Sequence, residues 1–160
     1  MHQHRFAHTG VYYSSGDRII TSEEGEAREI HTDAWNISFQ PVGVTHTETG
    51  ISDEPLRAVF VQIKRPAPYT APAVTTLPLF PQDSPLDRRA NDRVRVWEYN
   101  GDLLSNLISG GGELQQHGHD AVVVWFDAQT RPNVYFIARG EIHRNLVPSQ
   151  ATRVFVFEIL

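Results

Sequence analysis

HQHRFAHTGVYYSSG, residues 2–16, sets three histidines at even positions ahead of a run of β-branched and aromatic residues. In a β-strand successive side chains alternate faces, so His2 and His4 point the same way, about 6 to 7 Å apart along the backbone. His8 shares their parity, and all three face one side if the strand runs unbroken. A metal ion needs several lone pairs converging at about 2.0 to 2.1 Å, so two imidazoles on one strand require a third donor from a facing strand. PVGVTHTETG, residues 41–50, offers His46 for that position. Pro41 fixes φ and Gly43 allows a sharp turn, which brings the histidine into its strand at a set orientation.

Outward from these two segments the chain reads as strands. VYYSS, DRIIT, REIHT, NISFQ, RAVFVQIK, DRVRVWEY, AVVVWF, NVYFIA and TRVFVFEIL combine β-branched and aromatic residues. Turn signals such as SSGD, SEEGE, PVGV and TRPN separate them at the short intervals of sandwiches and barrels rather than βαβ units. The run EEGE at residues 23–26 reads as a solvated hairpin tip. GDLLSNLIS, residues 101–109, is the one stretch that tolerates a short helix. The fold class expected is all-β.

Residues 65–90 hold most of the ten prolines. Proline donates no ladder hydrogen bond, so this stretch cannot be a central strand and reads as a linker, with Tyr69, Leu77, Leu79 and Phe80 as apolar anchors along it. The halves on either side look related. PVGVTH followed by LRAVFVQIK closes the first, and ARGEIH followed by TRVFVFEIL closes the second. Each carries an HxH pair upstream, His2 with His4 and His117 with His119. A repeated order of HxH, glycine turn, histidine and closing strand points to duplication. The expected organisation is a first repeat at 1–65, a proline-rich linker at 66–90 and a second, degenerate repeat at 91–160.

HQHRFAHTGVYYSSG resembles the first motif of the cupin superfamily, HxH followed by Glu and then Gly, and PVGVTHTETG resembles the second, PxGxxHxxxN. NDRVRVWEY onward is similar to the second half of bacterial two-cupin proteins. The resemblance implies a double-stranded β-helix, a jelly-roll barrel, with two repeats in one chain and a mononuclear site for a divalent metal ion: iron, manganese, zinc, nickel or copper. It implies ligation by His2, His4 and His46. His8 stands where the family has Glu, which makes it a candidate fourth, neutral ligand, and Gly50 stands where the family has Asn. The family carries one or two strands ahead of the first motif. Here they would come from elsewhere in the chain, from a second subunit or from upstream.

The second half departs more. His143 follows His119 by far fewer residues than separate His46 from His4, as though a hairpin between the motifs were deleted, and the Glu position falls on Val123. Gln115, His117, His119 and His143 are expected to form at most a partial second metal site. Tyr12, Tyr13, Trp35, Phe39, Trp97 and Trp125 are expected to fill barrel interiors or line a pocket. Glu48, Arg57 and Glu141 lie beside the motifs, but no spacing rule gives them a role.

Composition narrows the function. With no cysteine, neither a disulfide nor a thiolate metal site is possible. A formal charge of −5 provides no field for nucleic acid or anionic lipid. MHQHRFAHTG lacks the apolar core of a signal peptide, and no run approaches the roughly 20 apolar residues of a membrane span. A cytoplasmic location, a small-molecule ligand and a homodimer that covers an open sheet edge are the expectations. Two functional classes follow: a metal-dependent cupin with isomerase- or dioxygenase-like chemistry, and a non-catalytic cupin that binds or senses a small ligand.

Overall fold

The computed structural model describes residues 1–64, 88–109, 115–144 and 146–160. Among them the chain runs β1 (His2–Gln3), β2 (Ala7–Tyr12), β3 (Gly16–Ser22), β4 (Ala27–Thr32), β5 (Ile37–Gln40), β6 (Thr45–Gly50) and β7 (Ala58–Ile63). It continues with β8 (Arg88–Ala90), β9 (Val94–Tyr99), α1 (Gly101–Ser109), β10 (Gln115–Gln116), β11 (Asp120–Phe126), β12 (Pro132–Ile137), β13 (Ile142–His143) and β14 (Arg153–Ile159). The protein is all-β, its ladders antiparallel, and it divides into two compact units, Met1–Arg65 and Pro66–Leu160. No helix among the described residues is long and apolar enough to cross a membrane.

The first unit has sheets of order β1-β6-β3-β4 and β5-β2-β7. The β3–β6 pair is nested in sequence inside the β2–β7 pair, the rolled ladder of a jelly roll. The Arg18 guanidinium of β3 sits 4.9 Å over the Tyr12 ring of β2 and ties one sheet to the other. Glu23 to Glu26 form the exposed tip of the β3–β4 hairpin, where Gly25 adopts φ +87° and its N–H donates to the Ser22 carbonyl at 3.1 Å.

The strand does not run unbroken from His2 to His8. β1 ends at Gln3 and β2 begins at Ala7, because the main chain of His4 is committed to the 43–44 turn. Its N–H donates to the Val44 carbonyl and its carbonyl accepts from the Gly43 N–H, both at 2.9 Å. Gly43 has φ +91°, a conformation that a side chain at this corner would strain.

The second unit carries a sheet of order β12-β11-β14-β9-β8 and the short pair β10-β13. Its sequence runs AVVVWF and VFVF do not alternate with polar residues, since both faces of the sheet are buried. Tyr99, Ala121, Val123, Trp125, Val154 and Val156 lie on one face, covered by Leu104 of α1 with Leu103, Leu107 and Ile108 packed alongside. Val94, Val96, Val124, Phe126, Phe155 and Phe157, on the other face, are all fully buried. The spacing of the four apolar residues of α1 puts them on one helical stripe, which stabilises a helix too short to persist alone.

The expected linker at 66–90 is shorter at its C-terminal end, because Arg88–Ala90 is an edge strand paired with β9. An edge is where residues beside a proline-rich run can enter a sheet. The remainder of that stretch, with its four apolar anchors, lies outside the described residues.

The strands β10 to β14 repeat the pairings of β1, β2, β5, β6 and β7. β10 pairs β13 as β1 pairs β6, β11 pairs β12 as β2 pairs β5, and β11 pairs β14 as β2 pairs β7. Among the described residues the second unit has no counterpart of the β3–β4 hairpin. Its register also corrects the alignment of the histidines. Gln115 stands opposite His143 as His2 stands opposite His46. The Gly140 N–H donates to the His117 carbonyl at 2.9 Å as that of Gly43 does to His4. The counterpart of His2 and His4 is therefore Gln115 and His117, two residues earlier than the HxH pair of His117 and His119. A two-residue shift keeps strand parity, so the motif alone could not reveal it.

Gly10, in the middle of β2, has no room for a methyl group: an added Cβ would meet the Val59 carbonyl oxygen at 2.3 Å and Phe60 Cδ1 at 2.4 Å. Phe60 is exposed and can move, but the Val59 oxygen belongs to the adjacent ladder. Gly10→Ala is expected to destabilise the first unit by about 3 kcal/mol, the upper range for overpacking. Denaturant unfolding followed by tryptophan fluorescence checks this, and a midpoint equal to wild type would contradict it.

Candidate metal centre

β1 delivers His2, the residue following it delivers His4, and β6 delivers His46. The Cα register pairs His2 with His46 directly. His2 and His4 bring their Nε2 atoms to 3.2 Å, and each of the three side chains offers a nitrogen within 4.8 Å of the other two. Their rings meet with centroids 5.1 Å apart for His2 and His4, 4.6 Å for His2 and His46 and 4.7 Å for His4 and His46. Among the described residues this is the one group of three or more metal-ligating side chains so gathered.

The three differ in exposure. His2 is exposed, His4 half-buried and His46 only 5% exposed. Burial, reinforced by the neighbouring imidazoles His8, His46 and His2, holds the His4 pKa below the usual histidine value. Burial also lowers His46, against an opposing pull from the Glu48 carboxylate. The result is neutral imidazoles with free lone pairs at neutral pH, the form a metal requires. His4 Nδ1 and His46 Nε2 are buried without a hydrogen-bond partner. His46 Nε2, without a partner among converging imidazoles, has a lone pair to offer an ion.

His8 lies at the margin. Its ring packs edge-on against His4 at 4.5 Å and against Phe60 at 5.2 Å, and it does not belong to the group of three. Glu48, to which no spacing rule assigned a role, places Oε1 3.4 Å from His46 Nε2 and 3.9 Å from Arg18 Nε. The signal that could have found it is its spacing, two residues past His46 on the same strand face. Arg57 and Glu141 do not join the group.

A cavity of about 420 Å³ opens over the histidines. His2, His4 and His8 form one side with Glu48; Gln40 and Gln62 contribute amides, Arg5 a cation, and Phe6, Tyr12 and Phe60 apolar surface.

The histidines of the second unit are arranged differently. His117 is 2% exposed, and its Nε2 lies 2.7 Å from His143 Nε2, the rings stacked 4.9 Å apart and inclined by only 4°. His143 Nδ1 is 2.7 Å from the Arg144 carbonyl, which can only accept, so this nitrogen carries the proton. His143 Nε2 is then the acceptor and His117 Nε2 the donor: the facing nitrogens satisfy each other. His119, half-buried in the turn after β10, makes no group of three with them.

No family model matches the chain, and no curated protein matches it. Solved structures do. A single-residue variant of oxalate decarboxylase from Bacillus subtilis aligns with 99% of this chain and 64% of its own at 11% identity and a TM-score of 0.36. Oxalate decarboxylase from Lactobacillus farciminis, in its formate complex, aligns with 99% of this chain and 68% of its own at 11% identity and a TM-score of 0.32. The chain thus spans about two thirds of the length of these proteins.

Burial in apolar surroundings, with His143 adding to it, pushes the His117 pKa down to about 3. An unfolded histidine takes its proton near pH 6.5, so between these values the unfolded chain is protonated at this site and the folded chain is not. The stability contributed by the neutral imidazole is complete above about pH 6.5 and declines as pH falls toward 3, by about 1.4 kcal/mol per pH unit at most. Unfolding free energies at pH 7 and pH 5 should drop for wild type and drop less for His117→Gln. Equal drops would mean that other groups carry the effect.

Proposed function

We propose that this chain is a metal-binding protein of the cupin type, in which His2, His4 and His46 hold one divalent ion, iron, manganese, zinc or nickel, at the side of a cavity that takes a small organic molecule. The observation that supports this reading is the convergence of three imidazoles, with His46 Nε2 lacking a hydrogen-bond partner, beside a cavity that His2 and His4 line. Such cavities are the usual setting of small-molecule sites. When bound, the ion supplies Lewis acidity to a carbonyl or enolate oxygen of the ligand, the chemistry of isomerase- or dioxygenase-like cupins.

The protein's own groups do the rest. The Gln40 and Gln62 amides and Arg5 offer hydrogen bonds to polar parts of the ligand, while Phe6 and Phe60 shield its apolar part from water. In the same reading the second unit is a degenerate copy that keeps the pairing order and loses the ligand set. With Gln115 in the register place of His2, its two facing imidazoles close on each other.

Purified protein is expected to hold about one divalent ion per chain by elemental analysis, and His2→Ala/His4→Ala/His46→Ala to hold none with an unchanged far-ultraviolet circular dichroism spectrum. A wild-type chain that takes up no iron, manganese, zinc or nickel at neutral pH would end this proposal.

A further inference from the structure

β6 carries His46 and Glu48 two residues apart, and strand alternation turns both to the same side. Glu48 Oε1 stands 3.4 Å from His46 Nε2, yet that nitrogen has no hydrogen-bond partner. Two lone-pair donors at this distance with no hydrogen bond between them have the spacing of neighbouring ligands. Donors held 2.0–2.1 Å from a tetrahedral ion lie roughly 3.3 Å apart. His2 Nε2 and His4 Nε2 stand 3.2 Å apart, within hydrogen-bonding distance of each other, and an ion would take the place of that bond.

We infer that Glu48 is the fourth ligand of the ion held by His2, His4 and His46, and the anionic one; this rests on the three-histidine reading above. Glu48 lines the same cavity as His2 and His4, and its side chain is 38% exposed, free to rotate onto an ion. Arg18 is its positioning residue. The Arg18 side chain is 9% exposed, Nε is 3.9 Å from the carboxylate, and Nε and Nη1 have no hydrogen-bond partner. A buried cation so placed attracts the carboxylate and holds it beside the cavity. The position in the first motif where the family has Glu is occupied here by His8; His8 and Glu48 both lie outside the group of three, but Glu48 brings an oxygen to 3.4 Å from one of its nitrogens, His46 Nε2. The carboxylate enters instead from the strand of the second motif. It lowers the net charge of a divalent site from +2 to +1 and adds a hard oxygen to three imidazoles, a set suited to zinc, iron, manganese or nickel.

Calorimetric titration of metal-free protein with Zn(II) and Mn(II), in wild type, Glu48→Gln, Glu48→Asp and His8→Gln, tests this. Glu48→Gln is expected to weaken binding by at least about tenfold, Glu48→Asp to recover part of the loss, and His8→Gln to bind within about twofold of wild type. Infrared difference spectra of wild type on adding Zn(II) should show one carboxylate band shifting, a readout that stands even if a variant does not fold. Equal affinities for wild type and Glu48→Gln, a loss that falls on His8→Gln instead, or an unshifted carboxylate band with metal bound would overturn the assignment of Glu48 while leaving the three histidines in place. A wild-type chain that binds no metal would remove the site and this ligand with it.

Discussion

The candidate centre depends on a very short stretch of ladder. β1 and β6 share two register pairs, His2 with His46 and Gln3 with Thr45, extended by the two hydrogen bonds between His4 and the 43–44 corner. Because side chains alternate along a strand, sliding β1 by one residue would turn His2 and His4 away from His46 and present Gln3 in their place. Two ladder pairs alone specify register weakly. The corner supplies what is missing: Gly43 at φ +91° presents its N–H to the His4 carbonyl, and Val44 accepts from His4 in return. The identity of a glycine thus fixes which side chains meet several ångströms away.

Once the register is fixed, electrostatics determines the state of the site. Four imidazoles crowd together, with His4 at the middle of the ring contacts. Burial and the like charge of neighbouring rings both hold His4 and His46 below the usual histidine value, which favours the neutral form of these two. Arg18 and Glu48 belong to the same balance. The guanidinium is nearly buried between the Tyr12 ring and the Glu48 carboxylate, and a buried cation needs such a neighbour. The carboxylate in turn faces His46, the most buried of the three histidines. Negative charge is therefore held beside the donors from β3 and β6, the strands that anchor the four-stranded sheet.

Much of this was legible in the sequence, for identifiable reasons. The strand inventory, the acidic hairpin tip and the short helix at residues 101–109 follow from local chemistry, which the fold does not override. His2, His4 and His46 were legible because a same-parity pair and a glycine-controlled entry carry geometry in their spacing. What stayed hidden depended on pairing. The break between β1 and β2 arises because His4 bonds to a corner some forty residues on. The equivalence of Gln115 with His2 required the β10–β13 register, since His117 and His119 look like a better match by type. Glu48 was adjacent to a motif but acquires meaning only from where Oε1 lands. Arg88–Ala90 read as linker because proline composition dominates a window and an edge strand needs only three residues.

The second unit shows what this register does when the donor set changes. Its corner glycine, Gly140 at φ +76°, and its two-pair ladder are kept, and His117 still meets His143. With Gln115 opposite His143, two imidazoles remain in contact instead of three, joined by one hydrogen bond with His117 Nδ1 left without a partner. The surroundings change as well. Without a counterpart of the β3–β4 hairpin among the described residues, one face of the large sheet needs another cover, and α1 provides it with Leu103, Leu104, Leu107 and Ile108. Burial then favours a neutral His117 that stays neutral to about pH 3. The same corner-and-ladder device can therefore hold either a cluster of three imidazoles beside a cavity or a hydrogen-bonded pair with one ring buried and the other half-buried. The number of donors and the cover above them decide which.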